Sequence, residues 1–233
     1  MTLFSTGSER NSHVEQQTAV HTVEIYSDVV CPWCYVGKRR LEAALELAGL
    51  QATVRVRWRP FELNPTMPGR GMDRTTYLEA KFGSPQAVES MLEHVREAGR
   101  QSGIAFAFDR IPRTPNTFDA HRLIWLAGEQ GLQDAVVESL FKGYFEEGAD
   151  LSNRNVLFDL AAKAGLDREE CRRCLESEAS EKAVREEEQR GLRLGIRAVP
   201  HFFIAGGPGL SGAHPPPTLA AWLRDGLAKA AVR

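Results

Sequence analysis

Residues 22–48 constrain the fold of this chain more than any other segment. An apolar, β-branched run, TVEIYSD at 22–28, passes through Val29 and Val30 into Cys31-Pro32-Trp33-Cys34. It continues without a break into YVGKRRLEAALELA, a helical pattern over 32–48 with Gly49 as its stop. Next, TVRVRW at 53–58 alternates strictly, with Val54, Val56 and Trp58 on one side and Arg55, Arg57 and Arg59 on the other. That predicts a period-two strand near a sheet edge, its arginines forming a solvated face. Strand, helix and strand make a βαβ crossover, which requires the two strands to be parallel.

From about Asp73 to Leu194 the pattern is helical almost without interruption. Ser84-Pro85 marks one helix start, and Asn116 and Asp119 precede another in AHRLIWLA. Ser152 reads as the cap of a helix that ends at Gly165, and Asp167 with Glu170 reads as a capping box. Past Gly195, VPHFFIAGGPGLSGA returns to strand, turn and short strand, and 217–231 closes as a helix. The order βαβ, helical block, ββα predicts an α/β fold of the thioredoxin arrangement, with a mixed sheet and a large inserted α-helical domain. The boundaries follow: a disordered leader at 1–20, the first half of the fold at 21–66, the insertion at 67–194 and the second half at 195–233.

No apolar run in the 233 residues approaches the length of a membrane span. A formal net charge of -2 argues against nucleic acid or an anionic membrane as the main partner. The polar leader lacks the apolar core of a secretory signal, which makes the cytoplasm the expected compartment. Cysteine pairs there tend to be catalytic, redox-sensing or metal-binding. All four cysteines of this chain fall into two CxxC pairs, Cys31/Cys34 and Cys171/Cys174.

Position 31 falls where the strand ends and the helix begins. Unpaired N–H groups and the positive end of the helix dipole favour a thiolate there. Pro32 suits the first helical position, since its missing N–H would have no helical partner. Cys31 is therefore the expected nucleophile, and Cys34, one turn in and deeper, the resolving thiol. Two quiet packing thiols are the plain alternative, which Pro32 and Trp33 make unattractive. A four-cysteine zinc site is disfavoured by the long separation of the pairs and by their different settings, so no metal is expected.

Cys171 and Cys174 lie three apart in a helical stretch, about 5–6 Å between Cβ atoms against the roughly 3.5–4.5 Å that a disulfide needs. They read either as passive thiols or as a labile auxiliary redox pair. Arg172 and Arg173 favour a thiolate there; Glu169 and Glu170 oppose it. In the thioredoxin arrangement the loop before the strand that opens the second half faces the CxxC turn. Pro200, preceded by Val199 in RAVPHFFI, is expected to be the cis-proline of that loop, leaving the backbone at 199 free to pair with an extended substrate.

EIYSDVVCPWCYVGKRRLEAAL, NTFDAHRLIWLA, DLAAKAGLD and VPHFFI with LSGAHPP resemble the FrnE-type branch of the DsbA-like thioredoxin proteins, from about residue 22 onward. The resemblance implies thiol–disulfide oxidoreductase activity on protein or peptide substrates, with no cofactor beyond glutathione as a co-substrate. It places the redox pair at Cys31 and Cys34 and the cis-proline at Pro200. It also puts Glu24 on the strand where relatives keep a buried acid that moves the resolving thiol's proton. The YSDVV loop, one residue longer than in the DsbA pattern, is a departure. So are His201, where an aromatic residue is expected, and His214, which turns SGAQ into SGAH. Related 2-hydroxychromene-2-carboxylate isomerases and kappa-class transferases use glutathione and carry a hydroxyl residue in place of the first cysteine. A glutathione-dependent isomerase or transferase is thus one alternative, and a redox-linked, chaperone-like binding protein another.

Other signals count for less. GPGLSG at 207–212 spells a dinucleotide-loop pattern but lacks a following βαβ unit, so it reads as a hairpin turn. Ser211 lacks the strand–elbow–helix context of a hydrolase nucleophile. His121 reads as a hydrogen-bonded packing residue, and REEEQR at 185–190 as a solvated helix face.

Overall fold

The computed structural model describes residues 21–205 and 207–230; the expected leader at 1–20 lies outside them. β1 (His21–Ser27), α1 (Pro32–Ala48) and β2 (Val54–Pro60) form the βαβ unit. Two short strands, β3 (Met72–Asp73) and β4 (Arg113–Thr114), enclose α2 (Arg74–Phe82) and α3 (Pro85–Gln101). The helical run continues with α4 (Phe118–Glu129), α5 (Gln133–Phe145), α6 (Arg154–Lys163), α7 (Arg168–Glu176) and α8 (Glu178–Arg193). β5 (His201–Ile204), β6 (Leu210–Ser211) and α9 (Pro216–Ala230) complete the second half.

The main sheet has the order β2-β1-β5-β6, with β1 parallel to β2 and antiparallel to β5, and β5 antiparallel to β6. This is the mixed sheet of a thioredoxin fold, with the helices α2–α8 inserted between its halves. GPGLSG is indeed the β5–β6 turn and its return strand. The β3–β4 ribbon departs from the all-helical expectation: its strands are two residues each, too short for a periodicity to show.

The two faces of the sheet are covered differently. Val23 and Ile25 point to the side packed by α1 and α9, where Ile204 meets Gly226 and Phe202 meets Trp222. Glu24 and Tyr26 point to the other side and meet α8: Arg190 reaches both, and Gly191 packs on the Tyr26 ring. The arginines of β2 therefore do not share one fate. Arg55 and Arg57 are exposed as expected, whereas Arg59 is tied to Glu24 and to Glu187 of α8. The expected solvated face is corrected at Arg59, because α8, distant in sequence, covers that end of the strand. REEEQR is corrected for the same reason, since Arg185, Glu187, Glu188 and Arg190 all pair with other elements or each other.

β2 is the edge strand, and Gln133 of α5 blunts the edge. Its side-chain amide accepts from Trp58 N at 2.8 Å and donates to Trp58 O at 3.2 Å, standing in for a neighbouring strand. α1 is joined to the insertion by an aromatic cluster in which Tyr35 stacks on Phe141 at 5.0 Å, with Phe106 and Phe145 beside them. Burying rings of this size contributes about 2–3 kcal/mol each. Buried Lys38 adds ionic contacts to Asp134 and Glu138 of α5. The helix that carries the CxxC turn is thereby fastened to both the sheet and the insertion.

Local signals explain most helix ends. Gly49 takes the left-handed conformation at φ 68°, its N–H closing the last turn of α1. Ser84 caps α3 with Pro85 at the first position. The α6 cap is Asn153, one residue past Ser152, whose hydroxyl instead bonds Asp150 at 2.6 Å. Only half of the capping box at α7 forms. Asp167 accepts from Glu170 N at 2.8 Å, but the Glu170 carboxylate turns to Gln130.

Candidate active site

β1 ends at Ser27, and Asp28 makes the turn into the helix. Its carbonyl accepts from Cys31 N at 3.0 Å and its carboxylate accepts from Leu63 N at 2.7 Å, anchoring the turn to the chain leaving β2. Cys31 is the N-cap of α1 with an extended backbone, and Pro32 holds the first helical position. In the first turn Cys34 N and Tyr35 N donate to the Cys31 carbonyl at 3.0 and 3.4 Å, and Pro32 has no N–H that would need a partner. Cys31 Sγ lies 3.7 Å from the carbonyl oxygen of Val199. The Val199–Pro200 peptide bond is cis. Gly37 of α1 sits under this loop, where a Cβ would come within 2.9 Å of Pro200 Cγ. The absence of a side chain at 37 lets the helix and the proline loop approach closely enough for that sulfur–carbonyl contact.

Cys34 is fully buried. Burial, and then the neighbouring Cys31 sulfur, push its thiol pKa well above the usual value. Hydrogen bonds from the Ser27 hydroxyl and the Asp28 N–H oppose this only partly. One cysteine thus lies at the helix tip against a backbone carbonyl, and the other is a protonated thiol beneath it. Trp33 stands half-exposed on the tip, 5.7 Å from the His94 ring of α3. A groove of about 960 Å³ runs from Trp33 along Ala87, Met91, His94, Glu97 and Arg100.

A model of the DSBA-like thioredoxin domain matches residues 22–224, most of the chain. The chain belongs to the DSBA-like thioredoxin family. Among solved structures it is similar to a "probable DsbA oxidoreductase" of Streptomyces coelicolor, at 34% identity and a TM-score of 0.84, over 90% of this chain and 91% of that one. It is 27% identical to the uncharacterized protein YwbO of Bacillus subtilis, over 78% of this chain and 86% of the relative. The cytosolic disulfide reductase DsbM of Pseudomonas aeruginosa, solved with glutathione, shares the fold at 20% identity and a TM-score of 0.63, over 89% of this chain and 99% of that one.

Within this DSBA-like thioredoxin, Glu24 has partners other than the expected one. Arg59 Nε and Arg190 Nη2 each donate to its carboxylate at 2.8 Å. Burial raises its pKa, but the hydrogen bonds and charges of the two arginines outweigh that and hold it below the usual range. A carboxylate locked in that state is a poor proton carrier. The groups that face Cys34 are Ser27 and Asp28.

The two histidine departures converge on Ser211. His201 Nδ1 lies 2.6 Å from the Ser211 hydroxyl, and His214 Nε2–H donates to the Ser211 carbonyl at 2.8 Å. Gly212 N donates to Pro200 O at 2.8 Å, so this clasp fixes the hairpin directly beside the proline loop. His201 faces its strand partner, and Val199 supplies the backbone nearest Cys31.

Cys171 and Cys174 are both buried on α7, away from the groove lining. Burial, with Cys174 and nearby acids, pushes Cys171 up to about 11, and burial raises Cys174 as well. Arg172 and Arg173 pair with Glu169 and Glu170 on the exposed side, so these charges offset one another. Cys174 Sγ points to Arg122 O at 3.6 Å.

The sequence reading missed Asp28, Ser27, Glu62 and Arg185. The Ser-Asp pair directly before the CxxC turn was the one visible signal. His121 is buried as expected, but its Nε2 has no hydrogen-bond partner among the described residues, which corrects the hydrogen-bonded reading. Among the described residues no cluster of three or more His, Cys, Asp or Glu side chains could hold a metal ion, and no helix is long and apolar enough to cross a membrane.

Proposed function

We propose that this chain is a thiol–disulfide oxidoreductase in which Cys31 exchanges with substrate and Cys34 resolves the mixed disulfide. The observation that carries the reading is the pairing of Cys31 at the α1 tip, 3.7 Å from Val199 O, with a buried Cys34 beneath it. Cys31 Sγ attacks a substrate sulfur, and the other substrate sulfur leaves as a thiolate. Cys34, once deprotonated, attacks Cys31 Sγ, closing the CPWC disulfide and releasing the second substrate thiolate. An external dithiol, or two glutathione molecules, returns the pair to the reduced state. The run of steps reverses when the oxidised pair meets a substrate dithiol.

A protein or peptide segment fits the site. The Val199 backbone offers an extended chain a partner, and Trp33, Met91 and His94 offer side-chain contacts along the groove. Glutathione serves as the small co-substrate, and the cytoplasm is the compartment in which a pair of this kind works as a reductase or isomerase.

The test is turnover of a peptide disulfide with glutathione as electron source. Cys31→Ser abolishes it, and Cys34→Ser traps the peptide on Cys31 as a mixed disulfide seen by intact mass. Full turnover by Cys34→Ser that still requires glutathione would refute the dithiol mechanism in favour of a glutathione-dependent transferase or isomerase. Full turnover by Cys31→Ser would refute both.

A further inference from the structure

Resolution requires the Cys34 proton to leave a fully buried thiol, and Glu24 is committed to two arginines. The Ser27 hydroxyl is the side-chain group that faces the Cys34 sulfur and favours its thiolate. Ser27 also lines a small cavity of about 10 Å³, whose other walls are His121, Arg59 and apolar side chains. A cavity of this size is at the lower limit for one water molecule. Across it, His121 is 3% exposed, with Nε2 unpartnered among the described residues. Asp28 Oδ1 lies 3.7 Å from that nitrogen, an ion-pair distance too long for a hydrogen bond.

Behind His121 lies a store of charge. Glu62 Oε1 and Glu188 Oε1 are also buried and unpartnered among the described residues. Arg185 holds the other Glu62 oxygen at 2.7 Å and Glu188 at 3.2 Å. The groups facing His121 are thus Asp28 from the β1–α1 turn, Arg59 and Glu62 from β2 and the chain after it, and Glu188 with Arg185 from α8. Arg122, on the same helix as His121, is occupied by Ser180 and the carbonyls of Cys174 and Ser177. Burial opposes a charge on His121, but Asp28, Glu188 and Glu62 outweigh it and raise its pKa. Burial and Glu188 push Glu62 up to about 7. Glu62 can therefore change protonation state near neutral pH.

We propose that Ser27, one water in this cavity and His121 carry the Cys34 proton during resolution of the mixed disulfide. The proposal rests on the oxidoreductase reading above. With substrate sulfur bonded to Cys31, the Cys34 thiol gives its proton to Ser27 Oγ, which passes its own through the water to His121 Nε2. Cys34 Sγ then attacks Cys31 Sγ, and the Cys31–substrate bond breaks with its electron pair leaving on the substrate thiolate. Asp28, Glu62 and Glu188 hold the imidazolium. When the pair is reduced again, the imidazolium returns the proton to Cys34. His121 touches neither reacting sulfur: it is a positioning residue, acting through Ser27 and the water.

The experiment follows one turnover of the reduced protein with a fluorogenic peptide disulfide. Acid quench and intact-mass spectrometry count the mixed disulfide and the closed pair at each time. Wild type passes quickly to the closed pair, with a resolution rate that climbs with pH only as far as a plateau. His121→Gln and Ser27→Ala accumulate the mixed disulfide, with resolution slowed by about tenfold or more at pH 7 and climbing steadily with pH. Release of the first thiol keeps its rate in both. Wild-type resolution with an unchanged pH profile in Ser27→Ala, which removes a single oxygen, overturns the relay even if His121→Gln does not fold. A wild-type protein that forms no mixed disulfide overturns the oxidoreductase reading and the relay with it.

Discussion

Gly37→Ala tests whether the closeness of α1 to the Val199–Pro200 loop shapes the site. An added Cβ would stand 2.9 Å from Pro200 Cγ and 3.4 Å from Phe202 Cζ. Neither neighbour is the free end of a flexible chain: one belongs to a ring, and the other to a fully buried side chain. Alanine gains up to about 1 kcal/mol over glycine in helix propensity. Forcing a methyl into a packed contact costs about 1–3 kcal/mol. The net expectation is a loss of about 1 kcal/mol, which for a chain of this size lowers Tm by about 2 °C. The same displacement widens the 3.7 Å approach of Cys31 Sγ to Val199 O, so peptide–disulfide exchange falls several-fold while the fold persists. Urea denaturation and stopped-flow exchange read the two effects. A Gly37→Ala protein that is more stable than wild type and exchanges at full rate would show that the contact does not govern the site.

Other expectations concern groups around the site. Glu24→Gln breaks the contacts to Arg59 and Arg190, costing about 2 kcal/mol at pH 7, below the range for a fully buried pair. The folded-state pKa of Glu24 lies below its usual 4.5, so this stabilisation is present above pH 4.5 and is lost as pH falls through the folded value. The gap between variant and wild type in urea midpoints should close in acid, and a gap independent of pH would contradict the pairing. Cys171→Ala with Cys174→Ala should leave exchange intact, and in the native wild type both thiols should resist iodoacetamide until the protein unfolds; rapid native labelling would restore them as an auxiliary pair. Gln133→Ala removes two hydrogen bonds from the edge strand and should cost about 1–2 kcal/mol and promote association by light scattering. An unchanged urea midpoint would show that the amide does not protect the edge.

The parts of the fold legible in the sequence were those set by local chemistry. The strand before Cys31, the 32–48 helix with its Gly49 stop, the β2 edge and the terminal hairpin each carry a periodicity or a turn residue of their own. The CPWC turn and the proline opposite it could be placed because strand–turn–helix order alone brings them together. What stayed hidden depends on partners far along the chain. Arg59 looked solvated, and Glu24 looked like the buried acid that moves the resolving thiol's proton, because the helix that covers both begins at Glu178. His121 looked like packing because Asp28, Glu62 and Glu188 reach it from three different elements. Glu170 left the capping box for Gln130, a partner 40 positions away. Alternation and capping rules describe neighbours in sequence, whereas the polar face of this sheet is assembled from residues more than a hundred positions apart.

The most direct test of the central claim is a redox titration of the whole protein in glutathione buffers, with alkylation and mass spectrometry reporting each CxxC pair separately. The account predicts that Cys31 and Cys34 form a reversible disulfide with a potential between about -270 and -120 mV, while Cys171 and Cys174 stay reduced throughout. A Cys31/Cys34 pair that never closes across that range would contradict it.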